Sequence, residues 1–213
     1  ILSRRYYVDR FTELYDGDAT KAGIIRLFNQ LISTTRPEDG VFIFFAGHGH
    51  LDQMSDTGFW IPADGGTDRF AQDNWLPNSQ IRGFISKMKA RHVVLMSDSC
   101  FSGDILNPTR AISPEITSEY FRRAYSRVSR QVLTSGASEA VPDSSEFARG
   151  LKLALEGNTA PQLDPLMLYH QVRHRRLRGK DAEGRAAAAV AARTDAVDRP
   201  PRAGAGDRQR ERR

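Results

Sequence analysis

Two stretches decide the fold: Val41-Phe42-Ile43-Phe44-Phe45-Ala46-Gly47-His48-Gly49-His50 and His92-Val93-Val94-Leu95-Met96-Ser97-Asp98-Ser99-Cys100-Phe101-Ser102-Gly103. Each opens as an uninterrupted apolar run and closes on small polar turn residues. A short run with no polar break reads as a strand buried on both faces, and such strands belong to parallel sheets. A reactive side chain follows each run. It is His48 in the first and Cys100, the single cysteine of the chain, in the second. Open α/β sheets collect their active groups at the carboxyl ends of parallel strands. A thiol and an imidazole there are the two parts of an activated nucleophile.

Helix and strand signals alternate around these two runs. Residues 11–14 read as a short strand. Asp18 reads as the cap of a helix carrying Ala22, Ile25, Leu27, Phe28, Leu31 and Ile32. Pro37-Glu38-Asp39-Gly40 is a turn. Residues 58–62 read as a strand stopped by proline, and Ser79 caps a helix with Ile81, Phe84, Ile85 and Met88 on one face. Residues 103–119, with Pro108 and Pro114, form a long loop, and 119–130 a basic helix. A third strand is expected at 131–135, a helix around Phe147 to Leu155 closed by Gly157, and a last helix at 163–172. This alternation predicts an α/β fold, a three-layer α/β/α sandwich around a mostly parallel sheet.

Charge divides the chain. Residues 1–172 carry 18 Lys+Arg and 20 Asp+Glu, a net of −2, whereas residues 173–213 carry 13 and 6, a net of +7. The expected organisation is one domain over 1–172 and a basic tail over 173–213. The tail is expected to be disordered, because it holds almost no large apolar residue after Leu177 and cannot bury enough surface to fold alone. Nucleic acid is not expected as a partner except through that tail. No run of eighteen apolar residues is present, so no membrane span is expected, and residues 1–5 do not form a signal peptide. A lone cysteine cannot form an internal disulfide, which fits a reducing compartment, and a cytoplasmic location is expected.

The Gly47-His48-Gly49 and Asp98-Ser99-Cys100-Phe101-Ser102-Gly103 segments resemble the caspase-like cysteine peptidases (peptidase C14-like), and within them the bacterial metacaspase and orthocaspase branch. Caspases place the histidine about 50 residues ahead of the cysteine, as here. The resemblance spans about residues 10 to 172. It implies a caspase-like sandwich and a cysteine endopeptidase acting on a protein or peptide. Relatives open with a strand and a loop ahead of the position that matches Phe11, so the sheet is expected to lack its opening strand. Flanking or partner domains are compatible with the family.

The resemblance also implies roles for single residues. Cys100 is the nucleophile and His48, between its two glycines, the general base. The N–H groups of Gly49 and Cys100 are the oxyanion donors. His50 lines the cleft or meets solvent. Asp98 lies in the primary specificity pocket, where a buried carboxylate wants a cationic partner and Arg or Lys of a substrate supplies it. Ser135, at the end of the third strand, and Asp143, in the loop after it, are further substrate-binding candidates. Metacaspases carry a serine where Ala46 stands, and no residue here matches their second pocket aspartate.

Plainer readings stand beside these: a buried inert cysteine, a structural turn histidine, and an Asp98 that caps the turn after its strand. No histidine, cysteine or carboxylate cluster near His48 and His50 has zinc-ligand spacing. Asp64, Asp68 and Asp73 share a polar loop but lack the ligand run of an EF-hand. No cofactor is therefore assigned, and calcium activation, known among metacaspases, has no assignable site. If the enzyme cuts after Arg, then Arg110, Arg122, Arg123, Arg127 and Arg130 are candidate self-cleavage points; the alternative is a solvated basic helix face. A catalytically inactive or truncated module acting by protein–protein interaction is the competing function.

Overall fold

The structure, a computed structural model, describes residues 2, 6–66, 68, 72–99, 105, 119, 122, 125–135, 145–158 and 163–178. Among them the α-helices are α1 (Lys21–Thr34), α2 (Asn78–Lys87), α3 (Glu146–Gly157) and α4 (Pro165–Arg178). The strands are β1 (Gly40–Ala46), β2 (Gly49–Asp52), β3 (Thr57–Trp60), β4 (Leu76–Pro77), β5 (His92–Asp98) and β6 (Ser129–Thr134). A parallel sheet runs in the order β1-β5-β6, and a separate antiparallel sheet in the order β2-β3-β4.

The two faces of β5 build two cores. Val93 and Leu95 pack with Ile24 and Phe28 of α1 and with Ile81 and Ile85 of α2. Val94 and Met96 pack with Phe147 and Leu151 of α3 and with Leu168 and Val172 of α4. Alternation along a strand sends successive side chains to opposite faces, so one apolar run serves both layers. All seven residues of β5 are buried. The result is the α/β/α sandwich expected from the sequence.

β1 departs from expectation. Read as buried on both faces, it has β5 as its one strand partner among the described residues, and Phe44 is 46% exposed. An apolar run does not by itself distinguish a central strand from an edge strand. Residues 11–14 form no strand: Phe11 is exposed, and Leu14 alone packs against the core. The α1 cap is Thr20, whose hydroxyl accepts the Gly23 N–H at 3.0 Å, while Asp18 ends a 3-10 turn. α2 begins at Asn78 without a side-chain cap, so Ser79 lies inside it. The last helix runs past residue 172 to Arg178.

Arg130 also moves. Expected on a basic helix, it lies in β6, and its guanidinium donates to four carbonyl oxygens. These are Ile85 at 3.0 Å, Met88 at 2.7 Å, Arg91 at 3.1 Å and Ser129 at 2.7 Å. The side chain thus holds the end of α2, the connection into β5 and the start of β6. Desolvation lowers its pKa from the ordinary arginine value. A strand residue locked in this way is not presented as a cleavage site. Of the other arginines in that group, Arg122 and Arg127 are exposed, and Arg110 and Arg123 lie outside the described residues.

Replacing Arg130 by Met strands these carbonyls and is expected to cost about 2–4 kcal/mol, since bonds to a charged donor are each worth about 1.5–3 kcal/mol. Lys, a point charge without the planar fork, should recover less than half. Urea unfolding of the three proteins checks this, and equal midpoints would contradict it.

Candidate active site

The register of the parallel sheet sets the geometry. β1 pairs with β5 from Gly40↔His92 through Ala46↔Asp98, a constant offset of fifty-two residues. His48 and Cys100 are separated by the same number. Both strands therefore end level, at their carboxyl ends. Beyond the last pair, the Gly47 N–H donates to the Asp98 carbonyl at 3.2 Å. Ser99 is buried and its hydroxyl lies 3.0 Å from that of Ser97. Cys100 follows it in the sequence and lies outside the described residues, as does Asp143.

His48 stands where the chain leaves one sheet and enters the other. Its carbonyl accepts the Ile61 N–H at 2.9 Å, and its side chain is exposed and makes no hydrogen bond to any described residue. Gly49 then opens β2 opposite Trp60. Antiparallel pairs alternate between hydrogen-bonded and non-hydrogen-bonded types. With His48 and Ile61 bonded, Gly49 and Trp60 are the non-bonded type, and the Gly49 N–H is not used by the ladder. An amide directed away from its neighbouring strand is free to donate to an oxyanion. His50 is half-buried, with its ring 5.0 Å from that of Trp75.

Asp98 is 5% exposed. By alternation it shares a face of β5 with Val94 and Met96. Its Oδ1 is fully buried with no hydrogen-bond partner among the described residues. The turn that Asp98 would cap in the plainer reading runs into residues 100–104, outside the described residues. A buried carboxylate oxygen without a partner is costly, and such a cost is commonly retained where a ligand completes the site. Ser135 is buried, its N–H donates to the Ser97 carbonyl at 3.0 Å, and it falls one step past the Ser97↔Thr134 pair, level with Asp98.

The acidic loop has a structural use. Asp64 accepts the Lys21 N–H at 2.8 Å and the Asp73 carbonyl accepts the Lys21 ammonium, which ties Asp64 and Asp73 to the start of α1. Among the described residues no group of three His, Cys, Asp or Glu side chains could hold a metal.

The sequence reading found β3, as a strand at 58–62, but missed β2 and the hairpin they form. Its signal was present: the polar stretch 52–57 separates two short runs containing apolar residues, and Asp56 takes the left-handed conformation (φ 51°) that a tight turn uses. The Ser55 hydroxyl and the Met54 amide bond to Asp52 across that turn and hold its carboxyl below the ordinary range.

A sequence model of the caspase domain, peptidase family C14, matches residues 3–196 of the chain. A search of curated proteins finds no match. The matched span passes residue 172, where the resemblance was expected to end.

Asp98→Asn is expected to leave thermal stability unchanged or raise it by a few degrees, because it replaces a carboxylate whose Oδ1 is buried without a partner among the described residues. A fall of more than about 5 °C, about 1.3–2.5 kcal/mol in a domain this size, would favour a structural role for Asp98.

Proposed function

The chain belongs to the caspase-domain family of cysteine peptidases, and on that premise we propose that it is an endopeptidase working through a His48–Cys100 dyad and cutting after Arg or Lys. The observation that carries this reading is the fifty-two-residue register, which ends β1 and β5 at one level just before the two reactive residues. The sulfur of Cys100 attacks the scissile carbonyl carbon, and the carbonyl electron pair moves onto oxygen. The N–H groups of Gly49 and Cys100 stabilise that oxyanion. His48 takes the thiol proton and delivers it to the departing amine as the C–N bond breaks. Water then attacks the thioester carbonyl and gives a proton to His48; the C–S bond breaks, the acid leaves, and His48 returns the proton to the departing sulfur.

Specificity follows from Asp98. Its buried, unpartnered oxygen supports a pocket that a substrate cation completes, with Ser135 at the same level and Asp143 as a contributor from the following loop. Arginine fits such a site by a bidentate fork and lysine by a single charge. Aspartate two residues ahead of the nucleophile also favours the metacaspase and orthocaspase branch. A reducing, cytoplasmic setting fits a thiol nucleophile with no cysteine partner. No helix among the described residues is long and apolar enough to cross a membrane.

Matched fluorogenic peptides ending in Arg, Lys or Asp provide the test, with and without calcium, using the full chain and its Cys100→Ala variant. Cleavage after Arg or Lys is expected, with a loss of at least about 10³-fold in the variant. Cleavage confined to Asp peptides would overturn the role of Asp98. A folded protein with no turnover under either condition would favour the non-catalytic binding module.

A further inference from the structure

Chemistry at His48 needs more than a strand end, because an exposed imidazole on a glycine-flanked turn has many orientations. The structure surrounds that turn with an aromatic brace. Phe45, three residues before His48, stacks on Trp60 with ring centroids 3.8 Å apart and an interplanar angle of 5°. Trp60 is 1% exposed and in turn meets Phe28 of α1 at 6.5 Å, and Phe28 stacks on Phe84 of α2 at 5.0 Å. A chain of four rings thus runs from the helical layer to the last turn of β1.

The brace reaches the backbone on both sides of His48. Before it, a Cβ placed on Gly47 would lie 3.0 Å from the Phe45 Cζ, so the Phe45 ring occupies the space beside the turn. After it, Gly49 lies opposite Trp60, and the residue just past that strand, Ile61, donates to the His48 carbonyl at 2.9 Å. One residue, Trp60, therefore sets both the ring that crowds Gly47 and the strand that holds His48. Its indole Nε1–H is buried with no hydrogen-bond partner among the described residues. Core tryptophan normally satisfies that group, so the ring is kept here in spite of its polar atom.

We infer that Trp60 is a positioning residue for His48, fixing the backbone of the Gly47-His48-Gly49 turn through Phe45 and Ile61 without touching substrate. This rests on the dyad proposed above for its catalytic consequence, but the brace itself is a claim about structure. A misplacement of about 1 Å at a reacting group costs about 10²-fold in rate, so a rigid turn is worth having even when it adds nothing to binding.

The test uses Trp60→Phe, Trp60→Leu and Gly47→Ala in the full chain, with two readouts. The first is peptide hydrolysis. Trp60→Leu and Gly47→Ala should lower kcat about tenfold to a hundredfold with KM within about twofold, and Trp60→Phe, which keeps a ring against Phe45, should stay within about fivefold of wild type. Gly47→Ala covers the case in which Trp60→Leu does not fold, since Gly47 is exposed and only the Phe45 ring must give way. The second readout is amide exchange. Exchange at Ile61 relative to Val94 in the central strand should rise about tenfold in Trp60→Leu and not in Trp60→Phe.

Exchange that accelerates equally at Ile61 and Val94, or variants that lose thermal stability while kcat of the folded protein holds, would reduce Trp60 to ordinary core packing. A wild-type protein without Cys100-dependent hydrolysis would overturn the dyad, and the exchange ratio would still decide the brace.

Discussion

The parallel pairing of β1 with β5 is the constraint on which the rest depends. Every residue of β5 is buried, with one apolar side chain after another sent alternately to the α1/α2 layer and the α3/α4 layer. A strand used on both faces has no tolerance for a register slip, because moving by one residue would exchange the two cores. Its alignment with β1 is fixed accordingly, and Ala46 and Asp98 end side by side. The level of the two strand ends is thus a consequence of packing, and the candidate chemistry sits directly beyond it.

The site combines two kinds of support. Below it lie buried groups of β5 and β6: the Ser97–Ser99 hydroxyl pair, the unpartnered Asp98 oxygen and Ser135. Beside it, the antiparallel hairpin receives the chain at Gly49 and bonds His48 through Ile61. The first provides a polar floor inside an otherwise apolar sheet, and the second provides a rigid exit for the histidine turn. Cores do not usually keep unpaired carboxylate oxygens, and among the described residues the Asp98 Oδ1 is one, at a strand end.

Much of this was legible in the sequence. The three parallel strands and the helices at 78–87 and 146–157 follow from apolar runs and helical spacing, which record burial directly. What escaped has a common cause: it depends on contacts between segments distant in sequence. An uninterrupted run such as 41–45 marks a strand but not its place in the sheet, so the exposure of Phe44 was unreadable. Arg130 looked like one more charge on a basic helix, because nothing in its neighbours announces four carbonyl acceptors, most of them some forty residues away. Thr20 replaces Asp18 as the cap, two positions later, because Asp18 is taken up in the preceding 3-10 turn. The Phe45–Trp60 stack joins β1 and β3 across fifteen residues of sequence, a contact no local pattern records.

The central claim is that the two strand ends bring a thiol and an imidazole into one functional unit, and it is tested most directly by the pH dependence of Cys100 alkylation by iodoacetamide. The measurement requires neither substrate nor activator. Pairing predicts that the wild-type thiol reacts as thiolate well below the ordinary thiol pKa of about 8.5, and that His48→Gln returns the profile to that value with at least about tenfold slower reaction at pH 6.5. Identical profiles in the two proteins, both centred on the ordinary thiol value, would contradict the account.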